Sequence, residues 1–189
     1  MLLYMIRHGE STTNPLRAHA GWAQIPLTQK GEQEALIARE KLKGILFDAV
    51  YSSDLFRAVQ TKTLALPDVP FLQTPLLREI HVGELSGKIP EECQRLYGNR
   101  YLVDKAHSDY RPYGGESREE HLSRVVEFLR QLEQLQVSCV AAFCHEGTLR
   151  RMLEFVQGLN AQTPRHCKNG GVCVFEFTKN VWRLVTWDD

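Results

Sequence analysis

The first residues that could do chemistry follow the first apolar run of the chain. The segment "MLLYMI" leads directly into Arg7, His8 and Gly9. A glycine lets the backbone turn tightly, so the guanidinium and the imidazole would be presented close to the small polar side chains of "STTN" at 11–14. A cation surrounded by hydrogen-bond donors suits a phosphate group. This segment therefore predicts a phosphate-binding turn at the end of a strand.

Two other predicted strands also end in cation-bearing turns. "DAVYSS" leads into a helix that carries Arg57 in its first turn, where the side chain points back toward the helix N-terminus. "VSCVAAFC" is followed by His145, Glu146 and Gly147. Three such strand ends, two of them with a histidine, are difficult to ascribe to chance. They predict a shared anion site at one edge of a sheet.

Phosphate ester chemistry also needs an acid that can protonate the departing oxygen. The segment "LLREIHVGELSG" offers two carboxyl groups, Glu79 and Glu84. Their residue type and position alone do not distinguish the acid from a solvated loop charge. Both glutamates stay open at this point.

Short apolar runs alternate with helical patterns along the chain. Strands are predicted at 2–6, 48–52, 69–73, 137–144, 172–177 and 182–187, and helices at 30–43, 54–65 (with Ser53 as N-cap), 90–98, 117–135 and 147–157. This order predicts an α/β fold with a mainly parallel sheet and an antiparallel hairpin around "TKN". Ligands bind such sheets beyond the carboxyl ends of the strands. The irregular stretch 99–116, rich in tyrosine and basic residues, is predicted to cover the site.

Composition limits the possible functions. The 189 residues form one predicted domain, 1–189, and 23 lysines and arginines balance 23 aspartates and glutamates, which gives no general attraction to nucleic acid or to an anionic membrane. No segment is long and apolar enough to span a bilayer and no signal peptide is recognised, so we expect a soluble, cytoplasmic protein. The five cysteines lack CxxC spacing, which favours reduced thiols over disulfides or a zinc site.

Taken together, the motifs resemble the histidine phosphatase superfamily, also called the phosphoglycerate mutase-like family. The matching segments are "RHGESTTN", "IPLTQKGEQEA", "YSSDLFRAVQT", "LLREIHVGELSG", "YGGES" and "FCHEGTLRRML". The resemblance implies a three-layer α/β/α sandwich and a metal-independent phosphatase without cofactor. It implies that His8 is the nucleophile, that Arg7, Arg57 and His145 bind the phosphoryl group, that Asn14 assists and that Glu79 is the proton donor.

Two positions depart from the family pattern. Ala20 precedes Gly21 where the family often has glutamine, and Glu146 follows His145 where the family usually has glycine. We add Gly21 and Glu146 to the predicted phosphate and substrate contacts. The carboxylate of Glu146 is expected either to favour protonated His145 or to select a substrate with a hydroxyl or a positive charge.

Three other functions compete with a histidine phosphatase. "CHEGTLR" fits the Cys-x-x-Gly-x-x-Arg loop of cysteine-dependent phosphatases, with Cys144 as nucleophile, although that reading leaves "RHGESTTN" unexplained. Phosphoglycerate mutases of the family are generally longer, with an added C-terminal tail, which favours hydrolysis for a chain that ends at Asp189. A non-catalytic phospho-ligand module would be expected to lose His8 or Glu79.

The substrate is a small phosphate ester that the sequence does not identify further. Phosphoglycerates, sugar phosphates, α-ribazole phosphate and phosphoprotein all stay open, and nothing in the sequence indicates an oligomeric state.

Overall fold

A computed structural model describes residues 1–158 and 166–189. Within these ranges the elements are β1 (Leu2–Arg7), α1 (Gln29–Leu42), β2 (Ala49–Ser53), α2 (Phe56–Ala65), β3 (Leu72–Thr74), α3 (Pro90–His107), α4 (Arg118–Glu133), β4 (Cys139–Cys144), α5 (Glu146–Gln157), β5 (Val172–Thr178) and β6 (Val181–Thr186). Among these helices, none combines the length and the apolar character that a membrane crossing requires.

The six strands form one mixed sheet in the order β3-β2-β4-β1-β5-β6. Each strand of the group β3-β2-β4-β1 is parallel to its neighbours within the group. β5 runs antiparallel to β1 and pairs with β6 in a hairpin. The hairpin turns at Lys179 and Asn180, both with positive φ, as a two-residue turn requires. The predicted α/β fold with a mainly parallel sheet is confirmed. Because β1, β4 and β2 are parallel neighbours, their carboxyl ends meet at one edge.

Helices cover both faces of the sheet, which gives three layers. On one face, Leu3 and Met5 of β1 pack with Phe128 of α4 and Met152 of α5. On the other, Ile6 of β1 packs with the helices α1 and α2. Alternate side chains of a strand point to opposite faces, so apolar residues at consecutive positions of β1 supply both cores.

The starts of the third strand and of the second helix were predicted wrongly. The third strand begins at Leu72 instead of residue 69, because Pro70 has no N–H to donate to a sheet ladder. Ser53 does not cap α2, which begins at Phe56 without a side-chain cap. The Ser53 hydroxyl accepts a hydrogen bond from Leu55 N at 3.3 Å instead, and its Oγ also contacts a histidine described below.

The prediction that 99–116 is irregular is wrong for residues 99–107, because these residues continue α3. The backbone leaves helical geometry within α3 at Gly98 (φ 62°, ψ −148°), and the helix then resumes. The resumed turns bury Tyr101 completely, in a third apolar cluster that also contains Val82 and Tyr113. Burial of this aromatic ring outweighs the weak helical pattern of the segment. Only its last part stays irregular.

Candidate active site

A cavity of about 290 Å³ lies at the carboxyl ends of β1, β2 and β4. Seven of the eight predicted site residues line it: Arg7, His8, Asn14, Gly21, Arg57, Glu79 and Glu146. The eighth, His145, is fully buried directly behind the wall, with its ring centroid 5.1 Å from that of His8. The fold therefore brings together residues that are as much as 139 positions apart in the sequence, as the strand-end pattern predicted.

His8 is held by hydrogen bonds at both ring nitrogens and at its backbone. Its Nδ1 lies 2.6 Å from the Gly9 carbonyl, and a carbonyl can only accept, so Nδ1 carries the proton. Nε2 then keeps its lone pair and accepts from Arg57 Nε at 3.3 Å. Burial, reinforced by Arg57 and Arg7, holds the pKa of His8 well below its ordinary value. Burial is the larger cause of this shift, and it favours the neutral imidazole.

The turn after β1 depends on a glycine because two backbones meet there. A Cβ on Gly9 would lie 2.8 Å from the carbonyl carbon of Gly31 in α1, far inside an ordinary contact. The Gly9 amide donates to Thr61 Oγ1 of α2 at 3.1 Å. The His8 backbone is thus fixed between two helices and strand β4, whose Cys144 carbonyl accepts from His8 N at 3.0 Å.

Arg57 is completely buried, although an arginine in the first turn of a helix is usually exposed. Its Nη2 donates to the Gly21 carbonyl at 2.9 Å and its Nη1 to the Ala23 carbonyl at 3.1 Å. Burial lowers the pKa of Arg57 to about 10, so it stays a cation at neutral pH. Gly21 lines the cavity and also holds the guanidinium in place through its carbonyl oxygen.

Arg7 and Glu146, which both line the cavity, form an ion pair with 3.0 Å between Nη1 and Oε2. The same Arg7 nitrogen donates to the Cys167 carbonyl, and Arg7 Nε is buried without a hydrogen-bond partner among the described residues. Burial alone would raise the pKa of Glu146, but Arg7 and Arg150 outweigh it and hold the pKa below its ordinary value. Glu146 is therefore an anion that partly neutralises Arg7.

The expectation that Glu146 favours protonated His145 is wrong. Burial, followed by Arg57 and His8, holds the pKa of His145 well below its ordinary value. The Glu146 carboxylate instead pairs with the guanidinium groups of Arg7 and Arg150. His145 Nε2 lies 2.9 Å from Ser53 Oγ, and its Nδ1 is buried without a partner in the part of the chain that the structure describes.

Glu79 is held at both carboxylate oxygens by backbone amides. Oε1 accepts from Ile80 N at 2.8 Å, and Oε2 accepts from Gly147 N at 3.1 Å, at the start of α5. Glu84, the other candidate acid, does not belong to the cavity lining, and its backbone carbonyl accepts from Lys88. The geometry favours Glu79.

Two residues that sequence reasoning missed fix the backbone of Glu79. Trp22 Nε1 donates to the Glu79 carbonyl at 2.7 Å, and Arg124 Nη2 donates to the same oxygen at 3.2 Å. Arg124 also donates to the carbonyls of three other residues of this loop. A tryptophan and a helical arginine carry no chemical signal by themselves, so only the fold reveals this support.

Asn14 is oriented by its neighbours within the turn. Its Oδ1 accepts from Ser11 N at 2.7 Å and from Ser11 Oγ at 2.9 Å. Since the side-chain oxygen is occupied, the NH₂ group of this cavity-lining residue is the part that can donate to an anion. This geometry is compatible with the predicted assisting role.

Cys144 lies in the apolar core instead of the cavity. It is fully buried against the α4 and α5 side of the sheet, and burial raises the pKa of its thiol well above the ordinary value. A protonated, inaccessible thiol is a poor nucleophile. His145, the next residue, points toward His8, as the alternation of a strand predicts.

The cavity lining also includes side chains that were not predicted as site residues, among them His19, Tyr110, His121, Arg150 and Arg151. Ser108 and Tyr110 are the residues of the 99–116 segment that line the cavity. Among the described residues, no cluster of three or more histidine, cysteine, aspartate or glutamate side chains could hold a metal ion.

Comparison with known proteins gives consistent results. The family model of the histidine phosphatase superfamily (branch 1) matches residues 3–189. A 2,3-bisphosphoglycerate-dependent phosphoglycerate mutase 2 from Gloeobacter violaceus is 34% identical over 161 residues, which are 80% of this chain and 74% of the relative.

Solved structures share the fold. A candidate alpha-ribazole-5'-P phosphatase from Escherichia coli K-12 has a TM-score of 0.91 and 26% identity, over 100% of this chain and 97% of that one. A mycobacterial glucosyl-3-phosphoglycerate phosphatase has a TM-score of 0.88 at 23% identity, over 99% and 98% of the two chains, which shows the common fold alone.

Proposed function

The chain belongs to the histidine phosphatase superfamily (branch 1), and from this membership and the geometry of its cavity we propose that it is a metal-independent phosphomonoesterase. It hydrolyses a small phosphate ester through a phosphohistidine intermediate on His8. Glu79 acts as the general acid and base.

The state of His8 is the observation that carries the proposal. Its Nδ1 proton is engaged by the Gly9 carbonyl, and its lowered pKa leaves Nε2 with a lone pair at neutral pH. Nε2 belongs to a cavity-lining side chain and lies 3.3 Å from a guanidinium nitrogen of Arg57. A neutral imidazole nitrogen beside fixed cations is suited to attack on phosphorus.

The groups around His8 match a phosphoryl group. Arg7 and Arg57 supply positive charge, and Arg7 Nε has no other hydrogen-bond partner among the described residues. Ser53 Oγ already accepts from Leu55, so its O–H can donate to His145 Nε2, which leaves Nδ1 of His145 as an N–H donor. These preorganised donors would stabilise the charge on the equatorial oxygens of the transition state.

Glu79 would complete the reaction on the leaving-group side. In its protonated form it transfers a proton to the departing alkoxide oxygen as the P–O bond breaks and the bond from Nε2 to phosphorus forms. The resulting carboxylate then takes a proton from water as the water oxygen attacks phosphorus, which releases phosphate and restores His8. Anchoring by Ile80 and Gly147 keeps the carboxyl group in one place for both steps.

A second candidate function is phosphoglycerate mutation, because the Gloeobacter relative carries that name at 34% identity. Mutases and phosphatases of this kind share the first half of the reaction and differ in whether the phosphohistidine is transferred to a second substrate or to water. The E. coli neighbour, with near-complete mutual coverage, supports hydrolysis and favours α-ribazole phosphate among the open substrates.

The test is to incubate the protein with 3-phosphoglycerate, with and without 2,3-bisphosphoglycerate, and in parallel with an aryl phosphate and α-ribazole 5'-phosphate. Hydrolysis predicts release of inorganic phosphate with little 2-phosphoglycerate. Rapid interconversion of the two phosphoglycerates with little free phosphate would instead identify a mutase. If no ester yields either free phosphate or 2-phosphoglycerate, both functions are contradicted.

A further inference from the structure

Two polar side chains on the cavity wall take no part in the mechanism described above. His121, in the second turn of α4, is 1% exposed, and its Nε2 has no hydrogen-bond partner in the described part of the chain. Arg151 of α5 is also largely buried; its Nε has no hydrogen-bond partner among the described residues, and its Nη1 makes an ion-pair contact with Glu154 without hydrogen-bond geometry. Unpartnered buried polar atoms are rare and costly, and both of these residues line the cavity.

His121 lies on the leaving-group side of the cavity, next to the acid. A Cβ built on Gly147 would be 2.9 Å from Glu79 Cδ and 3.2 Å from His121 Cε1, so the carboxyl group and the imidazole converge on the same point. Because Glu79 is placed to protonate the departing oxygen, the carbon atoms that follow that oxygen would pass close to His121.

The ring of His121 presents an acceptor. The Arg78 backbone favours an N–H on this imidazole by raising its pKa, and since Nε2 has no partner among the described residues, we assign that proton to Nδ1. Burial, followed by Arg124 and Arg151, holds the pKa of His121 well below its ordinary value despite that hydrogen bond. The imidazole is therefore neutral, with a lone pair on Nε2.

Arg151 presents N–H donors, and a nearby carboxylate already offsets part of the positive charge of its guanidinium group. Its Nη1 lies 3.2 Å from Glu154 Oε2, and Glu154 also pairs with Arg118 at 3.0 Å. The cavity wall therefore offers both N–H donors and an acceptor, and the carboxylate of Glu154 offsets part of the positive charge.

We propose that His121 and Arg151 form a subsite for a hydroxyl group of the leaving alcohol, so that the preferred substrates are phosphate monoesters of polyols or sugars. A hydroxyl donates to His121 Nε2 and accepts from Arg151 Nε, which would give each of these two unpartnered atoms a hydrogen bond. A carboxylate could accept from Arg151 but would set its oxygens against the Nε2 lone pair. This inference rests on the proposed function, since it assumes that the ester lies between His8 and Glu79.

The test is binding of non-hydrolysable phosphonates, measured by calorimetry, so that turnover is not required. The probes are (3,4-dihydroxybutyl)phosphonate, which mimics a polyol phosphate, butylphosphonate, and 4-phosphonobutanoate as the carboxylate form. We expect the dihydroxy compound to bind about tenfold or more tightly than butylphosphonate, as hydrogen bonds to buried partners predict. His121→Leu and Arg151→Met should each reduce this ratio severalfold.

Two variants serve as controls. His121→Gln keeps a hydrogen-bond acceptor and should retain part of the ratio, which a purely structural effect would not produce. His107→Leu, at an exposed histidine of α3, should leave the ratio unchanged.

Equal binding of the hydroxylated and plain phosphonates, or tighter binding of the carboxylate compound, would overturn the subsite. Aryl phosphate hydrolysis by the same preparation tests the proposed function separately. If the protein hydrolyses aryl phosphate but binds both phosphonates equally, only the subsite is contradicted. If it prefers the dihydroxy phosphonate but hydrolyses nothing, the proposed reaction is contradicted and the subsite is supported.

Discussion

Replacement of Gly147 by alanine is predicted to damage the acid without damaging the fold. The new Cβ would lie 2.9 Å from Glu79 Cδ and nearer still to Oε1, whereas carbon atoms in contact are normally about 3.5–4.0 Å apart. The carboxyl group must therefore retreat by about 1 Å and give up its hydrogen bond to the Gly147 amide. A displacement of about 1 Å at a reacting group costs about 10²-fold in rate.

The assay compares kcat/KM for an alkyl phosphate with that for an aryl phosphate. We expect Gly147→Ala to lower the alkyl value about 10²-fold and the aryl value by less than about tenfold, because a good leaving group needs little protonation. Alanine is favoured over glycine inside a helix by up to about 1 kcal/mol, so α5 itself should not be weakened.

The matched control is Gly44→Ala, where a Cβ meets nothing within 4 Å but φ is +80°. That variant should lose about 1 kcal/mol of stability to backbone strain and keep its activity. Equal losses on alkyl and aryl phosphates in Gly147→Ala, or full activity, would refute the reasoning.

Three other predictions concern the acid, the histidines and metal ions. Glu79→Gln should lower alkyl phosphate turnover by about 10²-fold or more while Glu84→Gln changes it little, and the reverse order would show that the acid was misassigned. The pKa values of His8, His121 and His145 are held below the ordinary value of 6.5, so below that pH the unfolded state binds more protons than the folded state. The free energy of unfolding, measured with urea, should therefore fall below pH 6.5 by up to about 1.4 kcal/mol per pH unit for each histidine, and a flat profile between pH 5 and 7 would contradict the buried neutral state. Aryl phosphate hydrolysis should survive EDTA, whereas loss of activity with EDTA and recovery with a divalent ion would contradict metal independence.

The strand ends could be predicted from the sequence because each combines an apolar run with an abrupt polar turn. The carboxyl ends of parallel strands share one edge of a sheet. The pattern therefore predicted that the side chains at these ends lie close together, namely Arg7, His8, Arg57 and His145. The role of Glu79 came from the family resemblance, because a glutamate in a loop has no distinguishing pattern of its own.

The parts that sequence reasoning missed depend on contacts between distant segments. Trp22 and Arg124 hold the Glu79 backbone across 57 and 45 residues, and nothing local marks either residue for that role. The partners of Glu146 were also not predictable, because its choice of Arg7 over His145 follows from side-chain geometry. The helix at 99–107 was missed because burial of Tyr101, a long-range effect, outweighs the local pattern.

The most direct test of the account is to identify the residue that carries the phosphoryl group. The protein is mixed with an excess of aryl phosphate, quenched within milliseconds in alkali, which preserves phosphohistidine, and digested for mass spectrometry. We predict a phosphoryl group on His8, loss of labelling and turnover in His8→Ala, and retention of most of both in Cys144→Ala. A phosphoryl group on the peptide that contains Cys144, together with an active His8→Ala protein, would contradict the central claim.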